Sequence, residues 1–163
     1  MKLVRNCGTT NLSRANEPRT SQKRTRIAIV DDDSNLRTAV GRLLGIYGFH
    51  SLPFDSGEAF LGTHIAPPVA CVLLDLMMPG LSGFQVKERL AKSAPHLPVI
   101  LITANANPEV CLKAEREGFA ACLAKPFEAS ELIPLINQTL RRTTARPQPA
   151  AIPSASSVAT GRQ

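Results

Sequence analysis

The chain has 163 residues, 44% of them hydrophobic and 20% charged, with a net charge of +6. That length carries one domain with one buried core and little besides. No apolar run approaches the roughly 20 residues that cross a bilayer, and the basic N-terminus lacks the apolar segment of a secretory signal.

Residues 1–24 are polar and unpatterned, and they read as a basic, disordered extension. Arg26–Val30 is the first continuous apolar run. Leu36, Val40, Leu43, Leu44 and Tyr47 then recur at helical spacing, and Gly48 is placed to end that helix. A weaker run, His50–Phe54, precedes a short helix from Ser56 to Leu61. Val69–Leu74 is the third run. Pro79, Gly80 and Gly83 make the turn after it, and Ser82 with Gln85 forms a capping box that opens a helix to about Lys92. Val99–Ile102 is the fourth run, and Asn107 with Pro108 supplies an N-cap and an N1 proline. Ala120–Ala124 is the fifth. Ala129, Leu132, Ile133, Ile136 and Leu140 form the last apolar face, and Pro134 is placed to kink that helix. Residues 142–163 are rich in Pro, Ala and Ser, and they read as a disordered tail too poor in apolar residues to form an output domain.

Strands buried on both faces of a parallel sheet read as continuous apolar runs. Five of them alternating with five helices predict an α/β fold, a doubly wound five-stranded parallel sheet with helices on both faces, over residues 25–141. The charge is unevenly spread over this plan. Residues 1–26 carry seven basic side chains against one acid, residues 27–140 eight against twelve, and residues 141–163 four against none. The positive balance therefore describes the ends, and no aromatic residue accompanies it to stack on bases. No nucleic-acid interface is expected. Cys7, Cys71, Cys111 and Cys122 contain no CxxC pair, so neither a disulfide framework nor a zinc site is expected. A reduced, cytoplasmic compartment fits that usage.

Four of the apolar runs end in chemically active residues. The first ends at Asp31, Asp32 and Asp33, the third at Asp75, the fourth at Thr103, and the fifth at Lys125 before Pro126. Sites on open parallel sheets lie beyond the carboxyl ends of the strands. Carboxylates gathered there repel by about 4 kcal/mol per pair at an effective dielectric of 20. Lys125 offers one compensating charge and a hard divalent cation two more, and magnesium suits one or two carboxylates plus phosphate oxygens. Asp33 has a plainer reading as the N-cap of the following helix.

These residues carry a resemblance. Asp31–Asp32 after Ile-Ala-Ile-Val, Leu-Leu-Asp75-Leu-Met-Met-Pro-Gly, Ile102-Thr103-Ala104 and Ala124-Lys125-Pro126-Phe127 resemble the signature of response-regulator receiver domains of bacterial two-component signalling. The resemblance covers about residues 25–141. It implies that Asp75 accepts a phosphoryl group and that Asp31, Asp32, Asp75 and the backbone carbonyl of Met77 hold Mg²⁺. It implies that Lys125 contacts a phosphoryl oxygen through a loop with a cis bond to Pro126, and that Thr103 bonds the phosphoryl group and draws in the loop after it. Met77 and Asn105 would flank the site and influence the lifetime of the phosphoryl group. The implied donor is a sensor histidine kinase or a phosphotransfer protein, since His50, His64 and His96 lie at no strand's carboxyl end. The implied output is binding to a protein target, with a homodimer through Asn107–Gly118, Ala120–Ala124 and Phe127–Arg141 as one form of it. No turnover of another substrate is implied.

The pattern departs at Cys122, where the family commonly has an aromatic residue that turns inward on phosphorylation. Altered or weaker coupling through another side chain is then expected, with Cys122 a small buried apolar residue. Other classes fit less well. A phosphatase of the haloacid-dehalogenase type wants a second acid where Met77 stands. A flavin carrier wants a hydroxyl- and glycine-rich loop where three aspartates stand. A DNA-binding regulator has only the basic ends in its favour.

Overall fold

The computed structural model describes residues 24–63 and 69–145. The expected N-terminal extension, most of the C-terminal tail, and His64 lie outside the described residues. The described strands are β1 (Arg26–Val30), β2 (His50–Phe54), β3 (Cys71–Asp75), β4 (Val99–Thr103) and β5 (Ala121–Ala124). The helices are α1 (Ser34–Ile46), α2 (Gly57–Leu61), α3 (Gly83–Ser93), α4 (Pro108–Arg116) and α5 (Ala129–Thr144). All strand pairs are parallel, in the order β2-β1-β3-β4-β5, the flavodoxin-like order of doubly wound folds.

Strand alternation divides the core into two layers. Ala28, Val30, Val72, Leu74, Val99 and Leu101 face one way and meet Phe60 of α2, Val86 and Leu90 of α3 and Ala114 of α4. Ile27, Ile29, Leu73, Ile100 and Ile102 face the other way and meet Val40 and Leu44 of α1 and Leu132, Ile133 and Ile136 of α5. Each fully buried aliphatic side chain stabilises the fold by about 1.5–3 kcal/mol. Two of the three interior strands, β3 and β4, are buried at every position.

The helix ends follow local chemistry. The Asp33 carboxylate accepts from the Asn35 and Leu36 N–H groups at the start of α1. Ser82 and Gln85 complete their capping box at α3, and the Asn107 side chain accepts from the Val110 N–H at α4. Gly48 takes φ 83° beyond the end of α1, where a Cβ would be strained.

Four expectations are corrected. β3 begins at Cys71, because its ladder with β1 opens at the Ile27–Cys71 pair, and it runs on to Asp75, which pairs with Ile102. Tyr47 is 51% exposed, since α1 has already ended at Ile46 and the chain is turning away. α5 passes unbroken through the exposed Pro134 and extends to Thr144, beyond the expected boundary at 141. Lastly, Cys111 and Cys122 form a disulfide with their Cα atoms 5.7 Å apart, within the usual range. The chain turns back at Gly118, φ 77°, and lays α4 on β5, a pairing that sequence spacing alone does not reveal. Cys122 is thus half-buried and bonded, against the expectation of a small buried apolar residue. Cys71 is free and buried, and burial pushes its thiol up to about 12.

Gly83 ties the fold to the end of β3. A Cβ there would lie 2.5 Å from the Asp75 carbonyl oxygen and 3.0 Å from the Leu76 Cα, and neither backbone atom can swing aside. Gly83→Ala is predicted to destabilise the domain by about 1–3 kcal/mol, the cost of overpacking. Gly45→Ala meets nothing within 4 Å in the last turn of α1 and is predicted to stabilise by about 0.4–1 kcal/mol. Urea unfolding of both variants reads the opposite signs. Equal stability of Gly83→Ala and wild type would contradict the contact.

Candidate functional site

The carboxyl edge of the sheet gathers the polar residues singled out above. Asp31 follows β1 and is 2% exposed, Asp75 closes β3 at 5%, and Thr103 closes β4 at 0%. Adjacent strands place these ends side by side, with Asp75 opposite Ile102 and Thr103 opposite Ala124. The Lys125 N–H donates to the Thr103 carbonyl at 2.8 Å, which holds the next residue of the chain at the same edge. The Lys125–Pro126 bond is cis.

The three consecutive aspartates do three different things. Asp33 caps α1. Asp32 is exposed at the rim of the cluster. Asp31 points inward, where its Oδ1 accepts from the Asp33 N–H at 2.9 Å and its Oδ2 from the Lys125 ammonium at 2.6 Å. Lys125 Nζ also lies 3.0 Å from Asp75 Oδ1, so one ammonium bridges two buried carboxylates. One carboxylate oxygen from each of Asp31, Asp32 and Asp75 falls within 4.8 Å of the others. Such a cluster of hard anionic oxygens is a donor set that could hold a metal ion.

Thr103 is adjacent, and its Oγ1 accepts from the Asn105 N–H at 3.1 Å, which folds the start of the β4–α4 loop over the strand end. Met77 is 73% exposed on the loop after Asp75. Two supports escape sequence reading. The Arg37 guanidinium of α1 donates to the Asp31 carbonyl, and Glu58 of α2 accepts from the Leu81 N–H at 3.0 Å, bracing the loop that follows β3. Nothing in the sequence signals either one, because both join separate elements. His50 and His96 are exposed and lie outside this cluster.

The pattern model of the response regulator receiver domain matches residues 27–137. This chain belongs to the response regulator receiver family. It is 36% identical over 111 residues to the response regulator protein FleR of Pseudomonas aeruginosa, covering 68% of this chain and 24% of that protein. It is 30% identical over 116 residues to the transcriptional regulatory protein FixJ of Bradyrhizobium diazoefficiens, covering 71% and 57%. The chain thus spans from about a quarter to a little over half of these relatives. Among solved structures, a response regulator receiver domain protein from Clostridium thermocellum superposes with a TM-score of 0.69 at 30% identity, covering 74% of this chain and 97% of that one. The BeF3-activated DrrB receiver domain superposes at 0.67 with 31% identity, covering 73% and 99%. The family is a signalling module of two-component systems.

Burial pushes the Asp75 carboxyl above its ordinary 3.8, the Lys125 ammonium pulls it back by hydrogen bond and charge, and the nearby Asp31 charge pushes it up again. For Lys125, burial lowers the pKa, but the two carboxylates outweigh it and hold the ammonium above its ordinary value. A carboxyl whose native pKa is raised binds more proton folded than unfolded, so its ionised form costs stability as pH rises past the unfolded value. Asp75→Asn keeps an oxygen for Lys125 and removes that cost. In chelator, the variant is predicted to unfold at higher denaturant than wild type at pH 7, with the gap closing as pH falls through 3.8. A variant less stable than wild type at pH 7 would contradict the assignment.

Proposed function

We propose that this receiver accepts a phosphoryl group on Asp75 from a phosphohistidine of a sensor histidine kinase or phosphotransfer protein, in a Mg²⁺-dependent reaction. The observation that carries the reading is the Lys125 ammonium bonded to both Asp31 and Asp75. A fixed cation beside a carboxylate nucleophile is what transfer of an anionic group requires. An Asp75 carboxylate oxygen attacks phosphorus, the phosphorus–nitrogen bond to the imidazole breaks with its electron pair going to nitrogen, and an acyl phosphate remains. Asp31, Asp32, Asp75 and the Met77 carbonyl would hold the Mg²⁺, which when bound neutralises charge on the phosphoryl oxygens. Lys125 exchanges its contact with Asp75 for one with a phosphoryl oxygen. The Thr103 hydroxyl, now engaged by the Asn105 N–H, turns to the phosphoryl group and draws the β4–α4 loop with it.

An open groove lined by Leu36, Ala39, Val40, Leu43 and Phe127 reaches Lys125, and its apolar wall supports docking of the phosphoryl donor protein there. In this reading the protein is a phospho-acceptor and turns over no other substrate. Its output is a conformational change read by a protein target, with self-association through α4, β5 and α5 as one form. Leu112 of α4, 52% exposed, belongs to that face. The place of action is the cytoplasm, where sensor kinases present their phosphohistidines; among the described residues no helix is long and apolar enough to cross a membrane.

Intact mass after incubation with acetyl phosphate and Mg²⁺ tests the proposal. Wild type is expected to gain one labile phosphoryl group, Asp75→Asn none, and wild type in chelator none. Lys125→Met is expected to react about 10²-fold more slowly, the effect of removing one electrostatic donor. No gain in wild type, while a proven receiver responds in parallel, would overturn the reading.

A further inference from the structure

The disulfide joins two elements that border the site. α4 begins one short loop after Thr103, and Lys125 directly follows β5. Cys111 sits in the first turn of α4, where its N–H donates to the Asn107 carbonyl at 3.1 Å. Cys122 sits on β5 opposite Leu101 of β4 and packs against the core layer that contains Leu101, Ala114 and Phe119. The bond therefore straps the helix that starts beside Thr103 to the strand that ends at Lys125.

Both sulfurs belong to half-buried residues, unlike Cys71, which is 0% exposed. Cys111 also lies at a helix N-terminus, where the backbone field favours a thiolate. The site thus holds an attacking thiol, a resolving thiol and a spacing that closes without backbone rearrangement.

We infer that Cys111 and Cys122 form a reversible thiol–disulfide modification site that, when oxidised, restrains α4 against β5 and so restricts the loop that follows Thr103. The oxidant is a low-molecular-weight disulfide. The Cys111 thiolate attacks one sulfur of that disulfide, forming a mixed disulfide and releasing one thiolate. The Cys122 thiolate then attacks Cys111 Sγ, closing the protein bond and releasing the second. Two electrons pass to the reagent, and its two released thiolates take up the two protons. The reduced receiver leaves α4 free to follow Thr103, and the oxidised receiver does not. The coupling half of this inference rests on the phosphoryl-acceptor reading; the bond itself does not.

The full chain is equilibrated across glutathione and glutathione-disulfide ratios, trapped by alkylation and mapped by peptide mass spectrometry. The expected result is one Cys111–Cys122 link that forms and is reversed within the range, with Cys71 unlinked. Hydrogen exchange over residues 104–117 is expected to slow at least about tenfold on oxidation, with Cys111→Ser and Cys122→Ser matching the reduced wild type under both conditions. Site and bond must also be linked reciprocally. Beryllofluoride with Mg²⁺, a stand-in for the phosphoryl group, is expected to shift the half-oxidation ratio at least about fivefold toward the dithiol. No link across the range, a link that dithiothreitol cannot reduce in the native protein, or a link that leaves hydrogen exchange unchanged would overturn the inference. An unshifted ratio with beryllofluoride bound would overturn the coupling. Failure of beryllofluoride to bind the reduced protein at all would instead count against the acceptor reading of Asp75.

Discussion

One ammonium between two buried carboxylates sets the character of this molecule. Lys125 reaches Asp31 at 2.6 Å and Asp75 at 3.0 Å, and without it two carboxylates would face each other at the edge of an apolar sheet. Removing one partner of a buried ion pair leaves a charge that neither water nor protein compensates, at a cost of several kcal/mol. The pair is also incomplete. Three carboxylates share one ammonium, and the surplus negative charge is an invitation to a cation and to a group that can carry charge away from Asp75. For stability alone, such a cluster is a poor arrangement.

The rest of the fold places that cluster. Parallel strands all end at the same edge, and the order β2-β1-β3-β4-β5 makes β1, β3, β4 and β5 consecutive neighbours. Residues 31, 75, 103 and 125 are therefore adjacent although they are spread over most of the described chain. The two apolar layers hold the strands in register, and the tight approach of Gly83 to the Asp75 carbonyl lets α3 start close beneath Asp75. Asp33 spends its carboxylate on α1 and so leaves Asp31 and Asp32 to face the site. The supports from Arg37 and Glu58 fix the loops that carry Asp31 and follow Asp75.

Much of this was legible in the sequence because its causes are local. Strands buried on both faces leave unbroken apolar runs, and β1 and β2 fall on the runs that predict them. Caps such as Asp33, Ser82 with Gln85, and Asn107 act within one helical turn, so their spacing is their signature. Asp31, Asp32, Asp75, Thr103 and Lys125 were legible as strand-end residues, and parallel topology then requires them to meet. What was not legible depends on contacts between elements. The first ladder pair of β3 depends on where β1 begins, so Val69 and Ala70 read as strand and are not. Tyr47 keeps the helical spacing but lies past the last turn of α1. Cys111 and Cys122 meet only because α4 turns back over β5. Arg37 and Glu58 reach out of their helices to backbone groups that any sequence would offer.

The central claim is that the carboxylate held by Lys125 is the one that receives the phosphoryl group. The most direct measurement is borohydride trapping of the phosphorylated protein, which reduces an aspartyl phosphate to homoserine, followed by peptide sequencing. The account predicts homoserine at position 75, dependent on prior phosphorylation and lost in chelator. Homoserine at another acidic position, or a stable phosphoryl group on a histidine with position 75 unchanged, would contradict it.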